Sequence, residues 1–452
     1  MAFVVAIVLL VVISIALQLF SPWWLQPIAS NWSGIDATID ITMWVTGFVF
    51  IALNLFLAYC VYRFRYNKNR RAGYEPENSK LEIWLTGFTA IGVAGLLTPG
   101  LFVWASFVNV PEDAVQVEVV GQQWQWSFRY PGADGILGTA DTAYVTPKNP
   151  LGVNPNDPFG QDDLVVQDKE MHLLKNQNVQ LLLRSKDVLH DYTVAPFRVK
   201  MDMVPGSVSY MWLEPTLAGS YDILCEEYCG VGHFIMRGTV FVDEQEEYDT
   251  WISAQATFSE TQAIAEGNPT AGKSNYAVCS ACHGVNGEGN QALNAPKLAG
   301  QQDWYLRQQL KYYKSGVRGT NPDDVYGAQM APMASTLIND TAINNVIAYI
   351  NTLPDNAAPA TVSGDPEKGA ILYKSICGTC HADNGTGIWS VHAPALSGMT
   401  DWYLVRQLQN FKSGVRGAHP QDQLGYQMTA MMSALEGDED INDVVAYINT
   451  LR

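Results

Sequence analysis

Two short stretches of the chain share the pattern CxxCH: CSACH at 279–283 and CGTCH at 377–381. At this spacing two thiols form thioethers to one haem while the adjacent histidine reaches its iron. A lone copy would also fit half a zinc site or a redox thiol pair, but neither copy has a further cysteine to complete a zinc tetrahedron. The sequence therefore predicts two haems c, held by Cys279, Cys282 and His283 and by Cys377, Cys380 and His381.

The sixth iron ligand is expected further along each copy, on a separate segment. The candidates are Met330 and Met333 in QMAPM, and Met428, Met431 and Met432 in QMTAMM. Position in the repeat does not identify the ligand, because Met333 and Met431 occupy equivalent positions in the two copies, just as Met330 and Met428 do. Ligation by methionine and histidine fills both axial positions and raises the potential, so such haems carry electrons and do not bind oxygen.

A second cluster of metal-binding residue types lies earlier, in CEEYCGVGHFIM at 225–236. Its candidate ligands, together with one upstream histidine in SKDVLH, are Cys225, Cys229, His233, Met236 and His190. Zinc would need only two cysteines and two histidines, which would leave the methionine surplus, and a single blue copper needs only one cysteine. Two thiolates four residues apart can instead bridge two copper ions, each completed by one histidine and one weaker ligand.

The C-terminal part of the chain is an internal duplication with an offset of 98 residues. The offset holds from the CxxCH cysteines to the methionines, and KSGVRG and AYINTL each occur twice. Repeats of this kind indicate two homologous helical domains. The predicted bounds are 275–355 and 364–452.

The N-terminal part, residues 1–107, contains three apolar stretches at about 2–20, 41–62 and 84–107. Each has about the 20 residues that a helix needs to cross a bilayer. The first could be a signal peptide, but it lacks a basic start and an A-x-A cleavage site, so a retained helix is expected. Six basic residues lie between the second and third stretches, which predicts that this loop is cytoplasmic and that the rest of the chain is on the outer side.

Residues 108–250 alternate in a strand-like way, with Gly, Pro and Asp at the turns, and predict a β-sandwich or barrel. A stretch rich in Pro, Gly, Asp and Asn at 131–168 is interpreted as an inserted surface loop, and 251–274 as a linker. The chain has 45 acidic against 27 basic residues, a formal charge of −18. This balance argues against nucleic acid and suits either a basic partner or a merely solubilising surface.

The duplicated part resembles the tandem dihaem cytochromes c of bacterial periplasms, whose domains are all-α and of class I. That resemblance implies that the first methionine of each pair binds iron. Met330 and Met428 would then be the ligands, and the later methionines would be core residues.

The part from about 40 to 255 resembles subunit II of haem-copper cytochrome c oxidases, on CEEYCGVGHFIM, SKDVLH, KMDMVPG and GQQWQWSFRY. The resemblance implies a cupredoxin-like fold and a binuclear CuA centre. It implies as CuA ligands His190, Cys225, the carbonyl of Glu227, Cys229, His233 and Met236. It also places a magnesium ion, shared with subunit I, on the Glu227 side chain, and makes Trp124 the residue through which electrons reach CuA. A core aromatic is the alternative for Trp124.

Weaker features accompany this resemblance. Glu82, in LEIWLT, resembles a glutamate that opens a proton channel, although its spacing departs by one residue, and a surface carboxylate is the alternative. PGSVS replaces the family's PGR run, and the first span and the 131–168 loop are additions.

The expected function is an electron-delivering subunit of a proton-pumping terminal oxidase in the bacterial inner membrane. Implied partners are oxidase subunits I and III and an external electron donor, either a cytochrome c or a quinol–cytochrome c reductase complex. A membrane-anchored copper-delivery protein and a nitric oxide reductase subunit are the alternatives. Covalent haem argues against copper delivery.

Overall fold

A computed structural model describes residues 1–21, 26–71, 73, 76–166, 170–263 and 266–451. The chain begins with three long helices, α1 (Ala2–Phe20), α2 (Ser33–Arg63) and α3 (Ser79–Val108). All three are long and apolar enough to cross a membrane, with mean hydropathies of 3.0, 2.0 and 1.8. The second and third extend several residues beyond the predicted spans, since polar residues from Ser33 and Ser79 onward continue each helix.

A β-sandwich follows the helices, as the alternating pattern predicted. One five-stranded sheet has the order β3-β2-β1-β5-β8 and the other has the order β4-β10-β9-β6-β7. The strands are β1 (Val115–Gln122), β2 (Gln125–Tyr130), β3 (Leu164–Val166), β4 (Glu170–Leu174), β5 (Val179–Ser185), β6 (His190–Val194), β7 (Val199–Met203), β8 (Val208–Leu213), β9 (Gly219–Leu224) and β10 (Arg237–Asp243). Because alternate side chains point inward, Val119, Phe128, Leu181 and Val240 fill the space between the sheets.

Two tryptophans join this sandwich to the N-terminal helices. The Trp32 indole donates to the carbonyl of Trp212 at 3.0 Å, and the Trp212 indole donates to the carbonyl of Ser106 in α3 at 3.1 Å. The two rings meet edge to face with centroids 4.9 Å apart. Arg198 adds an ion pair with Asp36 of α2 at 2.7 Å. The sandwich therefore rests on the N-terminal end of α2 and the C-terminal end of α3.

The insertion predicted as a surface loop is packed onto the sandwich over its described part; residues 167 and 168 lie outside the described residues. Leu151 and Val153 are buried in a small core with Phe258 of the expected linker. A buried ion-pair network anchors the base of the insertion: Arg129 lies 2.7 Å from Glu118 and 2.5 Å from Asp163. The expected linker also contains helical structure: α4 (Gln245–Ser253) extends into it from the sandwich and α5 (Phe258–Gln262) lies within it, although residues 264 and 265 are not described.

Two all-α domains complete the fold, in agreement with the duplication; residue 452 is not described. Domain 1 contains α6 (Pro269–His283), α7 (Asp303–Ser315), α8 (Val325–Ser335) and α9 (Asp340–Ile350). Domain 2 contains α10 (Pro366–Leu372), α11 (Gly378–His381), α12 (Asp401–Lys412), α13 (Gln423–Met431) and α14 (Asp438–Ile448). The expected start of domain 1 at residue 275 falls inside α6, because Asn268 caps that helix and Pro269 suits its first position.

The two copies differ just before the CxxCH motif. Tyr276 donates to the carbonyl of Gly284 and Tyr373 to that of Ala382, each at 2.8 Å, so the tyrosines correspond at an offset of 97 and the acceptors at 98. The extra residue of domain 2 is absorbed by a π-helical turn over Tyr373–Cys377. This turn keeps the second CxxCH motif in the same position relative to its domain.

Candidate metal and haem centres

The predicted copper ligands come together at one end of the sandwich. The Cys225 and Cys229 sulfurs are 3.8 Å apart. Nδ1 of His190 lies 3.9 Å from the Cys225 sulfur, and Nδ1 of His233 lies 3.6 Å from that of Cys229. The Met236 sulfur is 3.8 Å from the Cys229 sulfur. The carbonyl oxygen of Glu227 lies 3.2 Å from the Cys225 sulfur. The other four predicted ligand groups therefore surround this thiol pair.

The elements of the sandwich explain this convergence. His190 begins β6, while the two cysteines lie in the loop after β9 and Met236 directly precedes β10. Since β9 pairs with both β6 and β10, these segments end side by side. A Cβ on Gly121 would lie 3.3 Å from the His190 ring, so a larger residue would crowd that ligand.

One positioning residue at this site was missed from the sequence. A carboxylate oxygen of Asp187 accepts from Nε2 of His190 at 2.8 Å, and the other accepts from the backbone N–H of Gln123 at 2.7 Å. The hydrogen bond leaves Nδ1 of His190 facing the thiols. Asp187 is the D of SKDVLH, three residues before the histidine, and this spacing was the signal that could have identified it.

The electrostatics of the thiol pair favour metal binding. The hydrogen bond from Cys229 lowers the pKa of Cys225 to about 3, and the same hydrogen bond raises the pKa of Cys229. Burial disfavours the charged form of His190, but hydrogen bonds with Asp187 and Cys225 outweigh it and raise its pKa. Soft sulfur together with imidazole in a buried site fits copper, and the second thiol would ionise when metal binds.

A continuous cavity runs through both helical domains and is lined by residues of both CxxCH motifs. Cys279, Cys282 and His283 face it from domain 1, and Cys377 and His381 from domain 2. Nδ1 of His283 and of His381 donates to the carbonyl of Pro296 and of Pro394, each at 2.8 Å. The other ring nitrogen is then free to bind iron. Burial lowers the pKa of both imidazoles and so keeps them neutral.

The candidate sixth ligands occupy different surroundings. Met330 and Met428 both line the cavity. In domain 2 the alternatives lie elsewhere: Met431 packs against the sandwich and Met432 is 2% exposed in the core of domain 2. In domain 1 Met333 also lines the cavity, but it is 41% exposed. The helices that carry Met330 and Met428 are capped alike, since Asp324 and Asp422 accept from the N–H of Gly327 and Gly425 at 3.0 Å.

Two buried arginines meet where the domains face each other across the cavity. Nη1 of Arg318 donates to Gln309 at 2.6 Å, and Nη1 of Arg416 donates to Gln407 at 2.7 Å. Nη2 of each reaches the glutamine of the other domain. Nε of both arginines finds no partner among the described residues. A buried, unpartnered cationic donor in this cavity suits the carboxylates of a haem, so the residues present fit the group.

Domain 2 also packs against the sandwich, beside Trp124. Its contact surface, here called the docking face, consists of Cys380, Ser390, His392, Gln427, Ala430 and Met431. The Gln427 amide donates to the carbonyl of Trp124 at 2.8 Å, and Nδ1 of His392 lies 3.1 Å from the Gln125 amide. Gln122 donates to the carbonyl of Ser390. The side chains of Cys380, Ala430 and Met431 pack on the sandwich core.

Trp124 lies between this docking face and the copper ligands. It is 3% exposed, and its indole N–H donates to the carbonyl of Cys229 at 3.2 Å. A Cβ on Gly232, in the ligand loop, would lie 2.3 Å from the indole Cδ2, so loop and ring are in direct contact. Glu82, in contrast, is an exposed residue in the first turn of α3, far along the chain from these centres.

Comparisons with known proteins find relatives of the sandwich and of both helical domains. The family described as "Cytochrome C oxidase subunit II, periplasmic domain" matches residues 115–242, and the family "Cytochrome c" matches 269–354 and 366–452. An alternative cytochrome c oxidase subunit 2 of Bradyrhizobium diazoefficiens is 53% identical, over 57% of this chain and 94% of that protein. Cytochrome c oxidase subunit 2 of Cereibacter sphaeroides is 28% identical, over 46% and 74%. Cytochrome c4 of Azotobacter vinelandii is 32% identical, over 42% and 91%.

Proposed function

Since the chain belongs to the cytochrome c oxidase subunit II family and continues into two cytochrome c domains, we propose that it delivers electrons to a terminal oxidase through two haems c and a CuA centre. Bound at the residues described above, these groups would supply reversible one-electron oxidation and reduction. In this proposal electrons pass from domain 1 to domain 2 and then to the copper site, because domain 2 is the domain that packs beside the copper ligands.

One observation carries this order. Gln427 and Trp124 connect the docking face of domain 2 to the ligand loop through consecutive hydrogen bonds, from Gln427 to Trp124 and from Trp124 to the carbonyl of Cys229. Cys380, a predicted haem attachment residue, packs on the same sandwich core. In domain 1 the corresponding cysteine, Cys282, is exposed. Domain 2 is therefore the member of the pair that adjoins the copper site.

The copper loop also presents a surface suited to a partner subunit. Tyr228 and Phe234, within the ligand stretch, are 79% and 61% exposed. Exposed aromatics of this size mark protein interaction sites, and we assign this one to subunit I, with subunit III as a further partner of the complex. The Glu227 side chain, half-buried beside Tyr228, is the proposed ligand of a magnesium ion at that contact.

The three apolar helices anchor the chain in the bacterial inner membrane in this proposal. The basic loop between α2 and α3 faces the cytoplasm, so the sandwich and both helical domains lie on the outer side. Glu82, at the cytoplasmic start of α3, is then placed where a proton pathway of a pumping oxidase would open.

Purification of the native complex tests the function. Absorption of haem a together with haem c is expected, with the near-infrared band and multi-line EPR spectrum of mixed-valence copper. A copper-replete preparation without these copper signals would refute the CuA assignment. Haem c and copper without any subunit I would favour a separate electron-transfer or copper-delivery protein, and haem b in place of haem a would point to a nitric oxide reductase.

A further inference from the structure

The internal duplication gives domain 1 a copy of the docking face that domain 2 uses. At the offset of 98, Cys380, Ser390, Gln427, Ala430 and Met431 correspond to Cys282, Ala292, Gln329, Pro332 and Met333. We call these five domain 1 residues the counterpart face. Position 294, which corresponds to His392, is an asparagine that accepts from Arg406 of domain 2 at 2.6 Å.

The two faces differ in what covers them. All six docking-face residues are half-buried, whereas all five residues of the counterpart face are exposed. Larger apolar side chains lie beside the counterpart face: Leu293 is 50% exposed and Val278 is 42% exposed, and both line the haem cavity. An uncovered apolar surface over a cofactor cavity is a feature of a binding site.

The same chain shows what kind of surface fits such a face. The sandwich contacts the docking face directly through Gln122, Trp124 and Gln125, a buried aromatic flanked by two uncharged amides. Lys186, which donates to the Gln122 amide oxygen at 2.7 Å, adds one positive charge beside these contacts. The counterpart face is equally free of charge, although the chain as a whole carries −18. Long-range attraction of a basic partner would therefore not be the main contribution to binding here.

We propose that the counterpart face of domain 1 is the docking site of the external electron donor, and that this donor presents an apolar, uncharged surface over its cofactor. The inference rests on the proposed function. One electron passes at this contact: the donor is oxidised and the haem at Cys282 is reduced, with no atom or proton transferred. The docking face of domain 2 is closed to the donor, because the sandwich already covers it.

A matched pair of substitutions in the purified oxidase tests the site. Ala292→Asp places a charge on the counterpart face, and Ser390→Asp places one at the corresponding position of the docking face. The probe is a reduced blue-copper protein with an uncharged apolar metal face. Its binding is measured by surface plasmon resonance, and its second-order rate of haem reduction by stopped flow. Ile338→Asp is the control, since Ile338 is 83% exposed and its domain 2 counterpart, Glu436, is also exposed.

Ala292→Asp is expected to weaken binding and slow reduction by the probe at least about tenfold, with internal transfer to copper unchanged. Ser390→Asp is expected to slow internal transfer and leave binding of the probe unchanged. Both rates should change less than about twofold up to 0.15 M salt.

Equal binding of the probe to wild type and Ala292→Asp would overturn the site, and so would faster, steeply salt-dependent reduction by a basic cytochrome. If Ala292→Asp instead disrupted a dimer of the complex or released subunit I, the counterpart face would be a contact with another copy of the chain or with that subunit. Absence of internal transfer in wild type would instead refute the proposed function itself.

Discussion

The side-chain amide of Gln427 donates to the backbone carbonyl of Trp124 across 303 residues of chain. The bond joins the helix that carries Met428 to the residue whose indole touches the copper loop. It therefore holds domain 2 next to a ring of the sandwich that is in contact with that loop.

Gln427→Ala is expected to loosen this docking. Loss of one net hydrogen bond costs about 1 kcal/mol, which corresponds to about a fivefold decrease in the docked population when docking is marginal. Transfer from haem c to copper, followed after flash photoreduction, should slow accordingly. Gln409→Ala is the control, because the exposed Gln409 amide bonds Asp438 within domain 2. A rate equal to that of wild type would mean that this contact does not limit transfer.

Gly232→Ala is expected to disturb the copper loop. The added methyl group would lie 2.3 Å from Cδ2 of Trp124, so either the ring or the loop must move. Overpacking of this kind costs about 1–3 kcal/mol. The unfolding midpoint should fall and the copper spectrum should broaden. Gly437→Ala, where a Cβ meets open space, should change neither property. An unchanged copper spectrum in Gly232→Ala would show that the contact with Trp124 does not shape the site.

Cys229→Ser is expected to abolish the copper signals and oxidase turnover while both haem c spectra persist. Cys229 lies within 4 Å of the Cys225, His233 and Met236 ligand atoms, so its loss affects the whole cluster. Cys60→Ser, in an apolar helix away from the cluster, is the matched thiol control. Loss of haem c from Cys229→Ser would mean that folding of the helical domains depends on the copper site.

Much of this arrangement could be predicted from the sequence, because each centre has its ligands at short, fixed spacings. Cys225, Cys229, His233 and Met236 occupy one loop. The first CxxCH motif lies at the end of α6, and the second runs from the π-helical turn into α11. The three classes of domain followed from periodicity and repetition, and the fold confirms them. His190 is more distant, yet its strand pairs with β9 in a sandwich and so reaches the same end.

The contacts between domains could not be predicted in this way. Met333 and Met431 have equivalent positions in the repeats, but Met431 packs on the sandwich and Met333 is exposed. The two local sequences, QMAPMAS and QMTAMMS, place these methionines at the same position, and the difference arises from which copy meets Gln122, Trp124 and Gln125. The packing of the 131–168 insertion was missed for a related reason: Arg129 bonds Asp163 inside the core, and polar composition alone suggested an exposed loop.

Arg129→Met tests the importance of that ion-pair network. The guanidinium lies between Glu118 and Asp163, and its side chain is only 3% exposed. Removing it leaves two buried carboxylates with less compensation, which costs about 3–5 kcal/mol. Arg237→Met, at an ion pair with Asp222 that is more than half exposed, should cost about 0–1 kcal/mol. Denaturant unfolding of the two variants measures the free energy of unfolding that each one loses. Equal losses would contradict the proposal that the Arg129 network anchors the insertion.

Docking of domain 2 is expected to weaken in acid through His392. Burial, and next the charge of Lys186, lower the pKa of this histidine from 6.5 to about 4. His392 binds a proton less readily in the docked state, where it is buried, than in the undocked state. Acid therefore shifts the equilibrium towards the undocked state. Docking is therefore at full strength above pH 6.5 and is progressively lost as the pH falls towards 4. Haem-to-copper transfer, measured from pH 7 to pH 5, should slow in wild type. His392→Asn, which introduces the residue found at position 294 of domain 1, should lose most of this pH dependence, and an unchanged profile in that variant would assign the titration to another group.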